Sequence, residues 1–563
     1  MAMTLEEIKQ QAQAGNVIKS EMIRVLSDTA TAYNVSITTN ANNISTLTTR
    51  TNALSASSTS LSASMISLSN LNSVVGLAWN KTTDVYTRLG LASGKTQTFF
   101  DNIAPFNQMR RCNLSDSGVV TAYYGESSYI EDGSNGQVMV EIPKFWYRVN
   151  ITDAGYEWYV SPIEQSGFNL HPAFIKNSVK LDYIYFSAYE GSIYDSSPTA
   201  IEVNTITITN SATADGNLSL TLDGDYDFTV AVVNGDTVEN VVDKIVAAGN
   251  KTDYSGVLWT VAKVDASNLT YTASSAGIKK TITMPDAHGV TSSIAKTTPG
   301  AGGYVLNDAP ITSASITAGT SILSSVTGTK PFSGWNSTTA SIISFRQAAR
   351  NRGSGWEQQD FVSSCAIQLL MLIEYGTFRM QTALSEGVTN ITDDVLTNMA
   401  IKTGRTITLG NSSGQVSTTH YKTSQTTYPF SYRGIENFYG NIWKFVDGIN
   451  IQGNNILWVA DNAYVSDTYG SPYVNTGLAL FNSSGWVKDI KVNNKYKYQF
   501  LCSLTGGDSA TYISDYYYQA TKNGIALLGG GWYHGLFAGS FDWSLAHASG
   551  AVHRAFGGRV LFR

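Results

Sequence analysis

The stretch GIALLGGGWYHGLFAGSFDWSLAHASGAVHRAFGGRVLFR (residues 524–563) constrains this chain more than any other. Glycines and small residues recur through it, and it closes on Gly557–Gly558–Arg559–Val560–Leu561–Phe562–Arg563. Between them stand Trp532, Tyr533, His534, Leu536, Phe537, Phe541, Trp543, His547, Val552, His553 and Phe556. Apolar and polar residues lack the clean alternation of a half-buried strand, with His and Asp interspersed. Glycine-shaped loops carrying large rigid side chains offer much contact area at low entropic cost. The pattern reads as a contact surface, and filling of a core is the competing reading for any single aromatic.

At 563 residues the chain exceeds one compact core, so roughly two to four domains are expected. Only 14% of residues are charged, whereas aromatics reach 11% and Tyr alone numbers 31. With abundant Ser, Thr, Asn and Gly, this suits β-rich proteins with many turns, of the kind found in extracellular fibres and virion parts. The net charge of −6, with no Lys/Arg block, gives no general attraction to nucleic acid or anionic membranes. Cys112, Cys365 and Cys502 are widely spaced and form neither a disulfide framework nor a zinc motif. Cys365 sits in an apolar run and reads as a small buried hydrophobe. The N-terminal MAMTLEEIKQQAQAGN has no hydrophobic signal segment, and no run of 18 apolar residues occurs. Synthesis in a cytoplasm, without membrane insertion, is therefore expected, and any extracellular role requires transport by something else.

Residues 35–75 carry a heptad pattern. Ile37, Ile44, Thr51, Ser58, Met65 and Asn72 fall at a, while Asn40, Leu47, Leu54, Leu61, Leu68 and Val75 fall at d. A single helix cannot bury this stripe alone, so a self-associating coiled-coil stem over 1–78 is expected. A disordered Ser/Thr linker is the alternative, and a trimer is favoured only by analogy with fibre-like proteins. Residues 79–197 read as short strands and turns, with Val138, Val140 and Ile142 alternating before Phe145, Trp146 and Tyr147.

The character changes over 198–303. Leu218, Leu220 and Leu222 lead into Asp223–Gly224, and Tyr226, Phe228, Val230 and Val232 lead out, which is a hairpin pattern. Asp236 with Glu239 predicts a capped helix through Val238, Val241, Val242, Ile245 and Val246. The segment reads as a small inserted α+β module. The main domain resumes over 304–563, where Ala366–Ile373 is apolar nearly all round and predicts a buried helix. The expected class is α+β: a helical stem, a β-rich domain and an inserted module.

SYRGIENFYGNIWKFVDGINI (431–451) resembles the core of C-type-lectin-like domains related to formylglycine-generating enzyme, with their GN-[IV]-W-[EK]-[FW]-V-D signature. The frame GGGWYHGLFAGSF…GGRVLFR is similar to the variable region of phage tail receptor-binding proteins diversified by retroelements. IPKFWYRV and DYIYFSAYEGSIYD (182–195) resemble other parts of such tail proteins. The resemblance spans roughly 80–197 and 304–563 and leaves out the insertion. It implies variable receptor-binding positions at Tyr533, His534, Leu536, Phe537, Phe541, Trp543, Leu545, His547, Ala548, Val552, His553, Ala555 and Phe556. It implies scaffold roles for Trp443, Trp532, Gly535, Gly539, Gly558 and Arg559. None of the variable positions is Asn, although an unselected template would be Asn-rich, which fits a copy already mutated and selected or a lineage that no longer diversifies.

The implied function is adhesion at a phage tail tip: a virion protein, homotrimeric, bound to other tail proteins through its N-terminus and to a bacterial surface protein or glycan through its C-terminus. No catalysis, cofactor, metal or nucleic acid is expected, and calcium stays open because no clear Asp/Asn/Glu cage is evident. Gly529–Gly530–Gly531 lacks the Lys-Ser/Thr of a phosphate loop. His534, His547 and His553 match no common metal spacing. Glu436 and Asp447 are the candidate carboxylates for an alternative, a surface-polysaccharide hydrolase. A purely structural tail component is the third reading.

Overall fold

The structure is a computed structural model. It describes Ser55 and residues 73–563, apart from 223–225, 254–255, 278, 280–281, 306–312, 335–339, 394–396 and 521. The α+β expectation is corrected: strands take 40% of the described residues against 13% for short helices, and the strands curl into a β half-barrel. The Gly-, Ser- and Asn-rich turns that interrupt the sequence keep its elements short, and the β-branched and aromatic runs between them favour pleated structure. No long helical stem occurs among the described residues. The heptad positions from Ile37 to Asn72 lie outside them, and Val75, taken above as a d position, instead opens the strand Val75–Asn80 and is fully buried.

The region Val75–Arg563 holds four principal sheets, one of them seven-stranded and built on the long strand Ser192–Ile208. One five-stranded sheet is built from Val75–Asn80, Val85–Gly90, Trp146–Ile151, Gly155–Ser161 and Asn169–Leu170. A six-stranded sheet includes Gln137–Pro143 and Tyr183–Ser187, and against the latter lies the final strand, Val560–Phe562, with Tyr185 opposite Phe562. Segments 79–197 and 304–563 therefore share a sheet. A nine-stranded sheet centres on Trp443–Ile451, Gly524–Leu528, Trp543–His547 and Ile513–Tyr518.

The helix Phe361–Tyr375 runs through the core they enclose. Asp360 caps it, its carboxylate accepting from Ser363 N at 2.8 Å, and Gly376 ends it at φ 70°. Every residue from Phe361 to Glu374 is buried, because strands cover it on several sides: Val75–Asn80, Gly155–Ser161 and Trp443–Ile451 all pack on it. Cys365 is among these buried residues, and all three cysteines are free thiols.

Residues 206–294 form a separate apolar core around Leu218, Leu220, Val242, Ile245, Leu269 and Tyr271. The long strand Ser192–Ile208 joins it to the rest. Its first residues pair with Ser321–Ser324, and its last with Asn268–Ala276 and Ser292–Thr298. The helix Val238–Ala247 starts one residue later than the Asp236/Glu239 pair suggests. Thr237 and Asn240 form the capping box, while Asp236 accepts from Val233 N at 2.8 Å and pairs with Lys244. Asp236 is closer to the turn that precedes the helix, so its carboxylate satisfies that turn instead.

Candidate binding face

The loop after Gly524–Leu528 reverses on Gly529 and Gly530, both with positive φ. A Cβ on Gly530 would stand 2.5 Å from Ala538 Cβ, so no other residue fits there. The loop is fastened along its length. Trp532 N donates to Asn441 O at 3.1 Å, Ile391 N to Trp532 O at 2.8 Å and Gly535 N to Thr389 O at 2.7 Å. Gln381 Nε2 donates to the carbonyls of Gly535 and Ala538 at 2.9 and 2.7 Å. Trp532 itself is fully buried, its Nε1 donating to Asp393 Oδ1 at 2.9 Å.

This anchoring ends in a single 3-10 turn, Gly535–Phe537. The turn leaves Leu536 61% and Phe537 42% exposed. Phe537 rests on Trp486 and Tyr516, at 5.0 and 4.8 Å between ring centroids. Tyr516 continues to Tyr518 at 4.7 Å, Tyr518 to His534 at 6.2 Å, and His534 stacks on Tyr533 at 4.4 Å. Trp486, Tyr516, Tyr518, Tyr533 and His534 are all half-buried. The result is a run of partly exposed rings across a strand platform and a loop.

A second loop, 548–555, adjoins the first through Arg554. Its guanidinium lies 5.4 Å from the Tyr533 ring and 5.3 Å from Trp532, and it pairs with Asp393 at 2.8 Å. Ala548 is exposed and Val552 and His553 are half-buried on this loop. His547 and His553 flank Phe556, 4.8 and 4.9 Å from its ring, away from the Phe537 run. His534 receives N–H contacts at both ring nitrogens, from Gly531 N at 3.1 Å and Trp443 Nε1 at 3.3 Å. A neutral imidazole has one acceptor nitrogen, so either tautomer accepts from only one of the two donors. Burial pushes His534 and His547 down to about 4 and lowers His553 as well, so these rings are uncharged at neutral pH.

Of the thirteen positions carried over from the resemblance, eight reach solvent: Tyr533, His534, Leu536, Phe537, His547, Ala548, Val552 and His553. The other five are corrected to core positions. Phe541, Trp543, Leu545, Ala555 and Phe556 are all buried. Phe541 packs edge-on to Phe378 at 4.8 Å and Trp543 to Phe361 at 5.7 Å, beneath the central helix. In the strand Trp543–His547 the first three residues are buried on both faces, and the last two are half-buried at its end.

The scaffold residues are buried, with Gly535 the half-exposed exception. Arg559 donates to the carbonyls of Glu436, Asn437 and Ser187. A Cβ on Gly539 would lie 2.1 Å from Asp515 Oδ1. Sequence reasoning missed Trp486, Tyr516 and Tyr518. The run Ile513-Ser514-Asp515-Tyr516-Tyr517-Tyr518 contained the clue: Tyr516 and Tyr518 are two apart and therefore share a strand face, opposite buried Tyr517.

Two carboxyls lie buried behind this loop. Asp515 Oδ2 accepts from Phe541 N at 2.7 Å. Neither carboxyl oxygen of Asp542 has a hydrogen-bond partner. Burial pushes Asp515 up to about 8 and raises Asp542 strongly, with Asp515 adding to the latter. In both, burial favours the neutral acid.

Glu436 and Asp447 are committed elsewhere. Glu436 accepts from Gly404 N, Thr406 N and Thr406 Oγ1 at 2.8, 2.7 and 2.8 Å. Asp447 is gripped by Arg346, at 2.9 Å from Nε. Both carboxylates are inaccessible. Among the described residues, no group of three or more His, Cys, Asp or Glu is placed to hold a metal, and no helix is long and apolar enough to cross a membrane. No protein-family model and no curated protein sequence matches the chain.

Proposed function

We propose that this chain is a receptor-binding protein of a phage tail, whose C-terminal face adheres to a bacterial surface protein or glycan. The observation that carries the reading is the exposed Gly535–Phe537 turn, backed by Trp486, Tyr516 and Tyr518 and strapped down by backbone hydrogen bonds. Large aromatic side chains left partly exposed on a well-anchored platform are the anatomy of a binding hot spot. Because the loop is already ordered, little conformational entropy is lost when a partner docks. Contact is assigned to Tyr533, His534, Leu536, Phe537, Ala548, Val552 and His553, with Trp486, Tyr516 and Tyr518 as added members. The sequence resemblance supplies the class of partner, and the mechanism is binding alone. The surface-glycan hydrolase reading loses its two candidate carboxylates, which are occupied by backbone donors and by Arg346.

The test is retention of the labelled full chain on intact cells from a panel of bacterial strains. Saturable binding to one or a few strains, displaced by excess unlabelled protein, is the expected outcome. Retention by no strain, or equal non-saturable retention by all, overturns the reading.

A further inference from the structure

A cleft of about 700 Å³ opens at the root of the insertion, and none of the aromatic-face residues lines it. Two tyrosines form one wall. Tyr194, on Ser192–Ile208, pairs directly opposite Tyr304, on Ala301–Val305, and their rings stand 5.0 Å apart at 63°. Gly133 makes room for this wall, since a Cβ there would fall 2.0 Å from Tyr304 Oη. Gln137 fixes that hydroxyl, donating to it at 3.4 Å while its own Oε1 accepts from Ser325 N at 2.8 Å.

The charges of the cleft decide what it can hold. Among the described residues Arg352 is its one lining cation, and its guanidinium is consumed internally. Nη1 donates to Asp116 Oδ1 at 2.7 Å, and Nε and Nη2 donate to Leu323 O at 3.1 and 3.0 Å. Among the described lining residues an anion finds no free cation. Asp132 is exposed and holds only the local turn at Ser134 N, 2.8 Å away, while the Asp116 side chain is 65% exposed despite its pairing. Two solvent-facing carboxylates repel phosphate and uronate, and no metal-binding group of three occurs among the described residues.

The remaining chemistry is that of a neutral polyol. Its hydroxyls donate to carboxylate oxygens in charge-assisted hydrogen bonds, and the C–H face of a pyranose packs on tyrosine rings. The volume lies within the ~300–1,000 Å³ of small-ligand sites. We propose that this cleft is a second binding site, for a neutral saccharide, formed where the insertion meets the main sheets. It is independent of the aromatic face and of what that face binds.

Saturation-transfer NMR on the full chain tests it, with neutral gluco-, galacto-, manno- and N-acetylhexosamine disaccharides, an oligouronate and inorganic phosphate as probes. At least one neutral sugar is expected to show transfer. Asp132→Asn and Tyr194→Ala should each weaken it roughly tenfold or more, with melting temperature retained, while Phe537→Ala leaves it unchanged. Asp132 is exposed, so its variant keeps the test valid if Tyr194→Ala does not fold. The proposal is overturned if no neutral sugar binds at about ten millimolar, corresponding to weaker than ~3 kcal/mol. Binding of oligouronate or phosphate alone, or neutral-sugar binding that persists in both variants, also overturns it.

Discussion

The ring of Phe537 lies 5.0 Å from that of Trp486, inclined by 35°, so an aromatic from the glycine loop rests on one from a separate strand hairpin. The contact holds Phe537 in place while leaving its outer side in water, 42% exposed. Phe537→Ala should therefore weaken receptor binding by about 2 kcal/mol or more. Thermal unfolding of the same variant should move little, because an exposed ring contributes little to folding.

Phe541 and Trp543 predict the opposite pair of outcomes. Each is 1% exposed and packed against Phe378 or Phe361. Truncation to Ala should cost about 3–5 kcal/mol of stability, read by urea unfolding. Any loss of adhesion in these variants should track the unfolded fraction.

Asp515 should make the fold sensitive to alkali. Its folded-state value is raised from 3.8 to about 8 by burial. Stability contributed by the neutral acid is complete below about pH 4 and declines as pH rises towards 8, by ~1.4 kcal/mol per pH unit in the limit. Asp515→Asn should flatten this decline and raise the melting temperature at pH 8 relative to the parent, with a smaller difference at pH 5. Parallel melting curves across that range would contradict the assignment.

Receptor binding should be insensitive to mild acid. His534 on the contact face is held near 4 by burial, so no charge appears on its ring between pH 6 and 8. Adsorption measured across that interval should be constant and should fall only as the pH approaches about 4.

Arg346 and Asp447 form a buried bidentate pair, and Asp447→Ala strands an unpaired guanidinium in the interior. A loss of about 3–5 kcal/mol in urea unfolding is expected. Asp447→Ala that folds with parental stability would remove the structural role assigned to this carboxylate.

Much of the fold could be read locally. The all-round apolar run at Ala366–Ile373 is the buried helix, and the alternation around Leu218–Leu222 and Tyr226–Val232 is a paired hairpin. The heptad pattern predicts helix as far as Val75, yet Val75 opens a strand, and the pattern's other positions lie outside the described residues. The site was legible as a region but not residue by residue. Leu536 and Trp543 look alike in a glycine-framed sequence; the 3-10 turn at Gly535 turns one outward, and packing against Phe361 of the central helix buries the other. Trp486 and Tyr516 escaped notice because their contact with Phe537 is created by sheet order, which no local spacing encodes.

The most direct measurement is an adsorption isotherm of the full chain on receptor-bearing cells, comparing the parent with Leu536→Ala/Phe537→Ala and with Ile343→Ala, an exposed apolar position outside the face. The face-directed double variant should lose at least tenfold in affinity at unchanged melting temperature, and Ile343→Ala should bind as the parent does. Equal affinity of all three proteins would contradict the assignment of adhesion to this face.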